Sequence, residues 1–287
     1  MRNHTLILIA AGLLLTAGAA SAIDLFRVLN AEDFLEEGLA YFEAGEYEEA
    51  ELKFKEAALE YPQGAESFYW LGRVFQVYGE FDKAKNYYDH AIKLDSAYVE
   101  ALDQAARLMM DLRRFEESLT YLRRLADINP NEPETYSNLG YAYLGLGDYA
   151  KAEGHFETAI DLGGDQAKYY DGLGLAFDGQ GRLPEAEQAF ISALELDDER
   201  GDSHLHLALL YTRQGLGRQA LDSFGSALEY LEDPGKRVFA LFQSGVIHEQ
   251  LGEIEQAVSA YNAALELAPE SESAPAIQER IDKLGSI

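Results

Sequence analysis

Six histidines and 51 acidic side chains are the groups of this chain most able to do chemistry. Their spacing decides whether it is an enzyme. His204 and His206 stand two apart, so on a helix they point in different directions. The i, i+4 pair that would hold zinc is missing. His204 falls in a column of aromatic residues and His248 in a column of tyrosines, so packing is expected of both; His90 and His155 stand alone. The run Asp197-Asp198-Glu199-Arg200-Gly201-Asp202 lacks the alternating ligands and closing glutamate of an EF-hand. Its acids suit a helix start instead. Gly172-Leu173-Gly174 follows no strand, so it is no dinucleotide loop. Serine occurs, but no G-x-S-x-G elbow does. No acid, base and nucleophile come together, so the sequence predicts no enzymatic activity, no metal and no cofactor.

The elements that must position these residues repeat. Segments beginning at Ala31, Ala65, Val99, Pro133, Ala167 and Gly201 are 34 residues apart, and a seventh begins at Val238 after 37. Such a period means stacked supersecondary units rather than one closed core. In the fourth unit, apolar residues recur at i, i+3, i+4 and i+7 on two segments, divided by Leu146-Gly147-Asp148-Tyr149. Gly147 can stop the first segment at positive φ. Each unit is therefore predicted as helix, turn, helix. Small residues hold the eighth position (Gly72 and Gly140, for example) and large ones the twenty-fourth (Tyr88 and Phe156). Small set against large predicts close helix packing, with the aromatic stripe as core. The three extra residues near 231–235 predict a longer second helix in the sixth unit or a bulged exit loop. Ser273 to Leu284 is predicted as a last helix with one apolar face, Ile277, Ile281 and Leu284.

These columns resemble the tetratricopeptide repeat, W-x2-L-G-x2-Y, then A-x3-F, then A and P. Tyr136, Leu139, Gly140, Tyr143, Ala152, Phe156 and Ala159 carry the pattern here, and Pro62, Pro130 and Pro269 close three units. The resemblance covers residues 31–269. It implies an all-α fold, a right-handed α-solenoid of about seven helix-turn-helix repeats, closed by a capping helix within 270–287. The third unit departs from the pattern with Arg113 at the turn glycine and Leu125 at the late alanine, and the sixth with Gly217 at a turn aromatic.

By the same resemblance the first helix of each unit lines a concave groove through its second, fifth, sixth, ninth, twelfth and thirteenth positions. The peptide-binding candidates there are Tyr69, Trp70, Arg73, Gln104, Arg107, Asn138 and Tyr141. Trp70 sits beside the aromatic column, which Phe68 already fills, so it has no evident packing duty within its own repeat. Trp, Tyr and Arg are frequent binding anchors. Asn138 is placed to bond a peptide backbone, as the equivalent asparagine does in related repeats. Arg73 and Arg107 share the ninth position, and helices ~8–10 Å apart would let both guanidinium groups bracket one carboxylate. The alternative is pairing with Glu100 or Asp103. The Lys and Asn pair that clamps a terminal carboxylate in the family's best-known groove is missing.

The lining positions carry twelve acids and four bases, Arg73, Arg107, Lys168 and Arg213. A basic ligand would meet a favourable field. The whole chain bears a net charge of −28, which disfavours nucleic acid and anionic lipid as partners. Arg2, the apolar run Leu6–Leu15 and Ala20-Ser21-Ala22 read as a secretory signal peptide over residues 1–22, cut after Ala22. A lead-in over 23–30 precedes the repeats. The alternative is an uncleaved membrane anchor, but the run from Thr5 to Ala20 is short of the ~20 residues needed to span a bilayer; no membrane insertion is expected after cleavage. There is no cysteine, which excludes disulfides and a lipoprotein anchor. The short leader suggests a bacterial source and a periplasmic or secreted protein. The expected function is an interaction scaffold holding a peptide or helix of another envelope protein. The alternatives are a self-associating structural component, as a homo-oligomer, or an accessory subunit of an envelope or exopolysaccharide assembly system.

Overall fold

A computed structural model describes residues 19–164, 166–271 and 273–285, with side chains from Ile23 onward. Among the described residues there are fifteen helices and no strand. None of the helices is long and apolar enough to cross a membrane. Most of the expected leader lies outside the described residues. Ala19 already belongs to the first helix, which includes the lead-in 23–30.

The chain divides at Pro130 into two compact units. The first holds three hairpins: α1 (Ala19–Ala44) with α2 (Tyr47–Glu60), α3 (Ala65–Val77) with α4 (Phe81–Leu94), and α5 (Val99–Asp111) with α6 (Phe115–Ile128). The second holds four: α7 (Pro133–Gly145) with α8 (Tyr149–Gly163), α9 (Ala167–Gly179) with α10 (Leu183–Leu196), α11 (Gly201–Gln214) with α12 (Gly217–Tyr230), and α13 (Pro234–Gln250) with α14 (Ile254–Leu267). A last helix, α15 (Ala274–Leu284), follows α14.

The expected small-against-large packing is the rule of each hairpin. A Cβ on Gly72 would lie 2.5 Å from the Tyr88 ring, so only glycine lets α3 and α4 approach this closely. Tyr88 is fully buried as a result. Where the third unit has Arg113 at the turn, that residue takes the glycine conformation with φ 57°, the one positive φ outside glycine among the described residues. The unit still forms its hairpin, tied across by the buried Ser118 Oγ donating 2.9 Å to the Ala106 carbonyl.

The three extra residues near 231–235 do neither of the things expected of them. α12 ends on schedule at Tyr230, and α13 starts early and runs for 17 residues. The cause is local: Pro234 fits the first helical turn, and the Asp233 carboxylate caps it by accepting from the Lys236 N–H at 2.7 Å. At the end of the chain, Ile277 and Leu284 of α15 are buried with Val238, Tyr261 and Ala264. The helix closes the last hairpin with an apolar face and leaves charges outside.

Candidate functional site

In the first unit the candidates gather on α3 and α5. Trp70 packs between repeats: its ring meets Phe42 of α1 edge-on at 5.3 Å and stacks on Phe54 of α2 at 5.8 Å. Beyond its own repeat, where no packing duty was evident, Trp70 thus packs on the preceding hairpin. The Arg73 guanidinium lies over Phe42 and Trp70, 5.6 Å from each ring, and Nη1 donates to the Tyr69 hydroxyl at 3.1 Å. Cation–π contacts of this kind contribute ~0.5–2 kcal/mol, the more as water is excluded. Tyr69 itself is buried, packed against Tyr88 and Tyr98, so it serves as a support for Arg73 rather than an open contact. Burial also pushes the Tyr88 and Tyr98 phenols above their ordinary range.

The two ninth-position arginines have different surroundings. Arg107 is exposed and pairs with Asp103 one turn earlier at 2.9 Å, the alternative weighed against bracketing a carboxylate. Lys168 is held by Glu134 and Arg213 by Asp178. Of the four lining bases, Arg73 is thus the one with no carboxylate partner among the described residues. Gln104, half-buried on α5, makes no hydrogen bond with a described residue.

In the second unit Asn138 is half-buried on α7 and likewise free of described partners. Tyr141 is committed to the fold. Its hydroxyl donates to the Lys168 carbonyl at 3.1 Å, and its ring meets Phe156 edge-on at 5.0 Å. Burial raises its phenol.

A polar cluster that the sequence reading missed lies on α9 and α11. Asp171 is 2% exposed. Its Oδ1 accepts from Ser203 Oγ at 2.8 Å and lies 2.9 Å from His206 Nδ1, while Arg200 is 4.0 Å from Oδ2. Burial pushes this carboxyl up, but the bonds from His206 and Ser203 and the nearby Arg200 outweigh it and hold the group below its ordinary value. Asp171 and His206 occupy lining positions one period plus one residue apart, a relation that pairing of adjacent units would have found. The three residue types are those of a hydrolase triad, yet their wiring is wrong for one. Serine and histidine both bond the aspartate, and Ser203 is fully buried, so no imidazole activates the hydroxyl. His204 turns the other way, stacking on Tyr230 with Nε2 2.9 Å from the Asp198 carbonyl.

Three family models described as tetratricopeptide repeat match the chain, at residues 131–199, 238–271, and both 35–96 and 172–229. The type IV pilus assembly protein PilF of Pseudomonas aeruginosa is 26% identical over 128 residues, 44% of this chain and 51% of that one. Human tetratricopeptide repeat protein 7B is 26% identical over 45% of this chain and 15% of its own length. The chain spans about half or less of the curated relatives it matches. Among solved structures, a tetratricopeptide repeat protein from Parabacteroides merdae aligns with TM-score 0.71 at 20% identity, over 90% of this chain and all of that one.

Proposed function

The chain belongs to the tetratricopeptide repeat family, whose members generally mediate protein–protein interaction, and from that footing we propose that it is a non-enzymatic scaffold of the bacterial cell envelope. It holds an extended segment or helix of another protein against the first helices of its repeats. The observation that carries the reading is Arg73: a cation set over the Phe42 and Trp70 rings, propped by Tyr69, and without a carboxylate partner among the described residues. A carboxylate of the partner completes the site, with Gln104 offering a hydrogen bond beside it. Acids at other lining positions of this unit, such as Glu36, Glu66 and Glu100, favour basic residues in the rest of the partner. The pilus-assembly relative is consistent with a role in building an envelope structure.

Export follows from the leader read in residues 1–22, with a mature chain beginning at Ile23; intact-mass measurement of the protein from its native cells tests this. The binding reading is tested by crosslinked co-purification from the native envelope. Arg73→Gln keeps the stem over the rings and removes the charge. It should lose the partner while the circular dichroism spectrum stays unchanged. Equal recovery by both proteins refutes the site.

A further inference from the structure

The outer face of α2 differs from that of every other second helix. Leu52 and Leu59 are 62% and 79% exposed, the highest values among the large hydrophobic side chains described. The same two columns in the other six repeats are not apolar. The column of Leu59 otherwise holds Lys93, Asp127, Asp161, Glu195, Glu229 and Glu266, and that of Leu52 holds Asn, Thr, Gly, Gln, Asp and Ser. Two leucines seven residues apart form one ridge, ~10.5 Å from end to end, along a single helix face. The ridge stands among Glu48, Glu49 and Glu60, which have no ion pair with a described residue. The neighbouring bases are taken, Lys55 by Glu51 and Lys53 by Glu37 and Glu56.

We propose that this ridge is a second docking surface, and that its occupant is a basic amphipathic helix of a partner protein. Apolar residues of that helix straddle Leu52 and Leu59, packing ridges into grooves. Its lysines and arginines face the three unpaired glutamates. Charge decides between occupants. A second copy of a chain bearing −28 would set acid against acid, and anionic lipid is repelled in the same way. This surface is separate from the Arg73 site and does not depend on it.

The test uses the full-length protein and a fluorescein-labelled 18-residue peptide of leucine and lysine, with leucines at i, i+3, i+4 and i+7. Anisotropy titration should show binding that weakens at least tenfold in Leu52→Asn/Leu59→Gln. The same peptide with glutamate for lysine should not bind. Both leucines are exposed, so the double variant should keep its helical content, and circular dichroism checks this. Either of two results overturns the proposal: equal binding by the double variant, or equal binding of the acidic peptide. Light scattering that shows a dimer abolished by the double variant assigns the ridge to a second copy instead. Cosedimentation with phosphatidylglycerol vesicles, lost in that variant, assigns it to lipid; either result also overturns it.

Discussion

Arg113 holds the turn of its hairpin at φ 57°, where the other six repeats use glycine. The left-handed region costs a side-chain-bearing residue ~1–2 kcal/mol, and glycine gives back part of that in backbone entropy. Arg113→Gly should therefore stabilise the protein by about 0.5–1 kcal/mol, measured as a higher urea midpoint at unchanged slope. Asp171 carries the opposite lesson. Its carboxyl is held below the ordinary range, so its share of stability is present above the unfolded-state value near ~4 and is lost as pH falls through the lower folded value. Asp171→Asn should cost about 2 kcal/mol at pH 7 by weakening two buried bonds, with the difference from wild type shrinking below ~pH 4. A constant difference down to pH 2 would show that the charge plays no part. Arg73 was legible in the sequence as a lining arginine. Its isolation was not, because that depends on which acids reach the other three bases.

At the scale of the element, the periodic columns carried nearly everything. Turn glycines, small-against-large pairs and the apolar face of α15 all follow from residue type at fixed spacing. Gly72→Ala tests the pairing. Its new methyl would meet the Tyr88 ring at 2.5 Å, and overpacking of this kind costs ~1–3 kcal/mol. Thermal unfolding should register that loss, whereas a neutral result would mean that α3 and α4 can separate freely. What the columns could not show was how residues off the pattern are absorbed. Pro234 and Asp233 together start a helix early, and a capping bond between two side positions leaves no trace in the period. Trp70's contacts with Phe42 and Phe54 were not legible for a related reason: those rings lie in the preceding unit, and a column describes a residue within its own.

At the scale of the whole chain acids prevail, and within each unit the hairpins are laced by ion pairs about one period apart. Asp82 meets Arg114 at 2.9 Å in the first unit; Asp202 meets Lys236 at 2.7 Å and Glu249 meets Arg280 at 2.9 Å in the second. Exposed pairs contribute little each, ~0–1 kcal/mol, and 51 acids far outnumber 23 bases. Repulsion should dominate, so raising NaCl from ~10 mM to ~0.5 M should raise Tm by screening it. A falling Tm would place the balance with the pairs. Among the four lining bases Arg73 alone has no carboxylate partner among the described residues, and the binding account rests on it. The most direct measurement is photo-crosslinking in native cells from a benzophenone side chain at position 104, with and without Arg73→Gln. A discrete adduct to another protein that disappears with the Arg73 charge is the predicted result. An adduct of undiminished yield in the Arg73→Gln protein would contradict it.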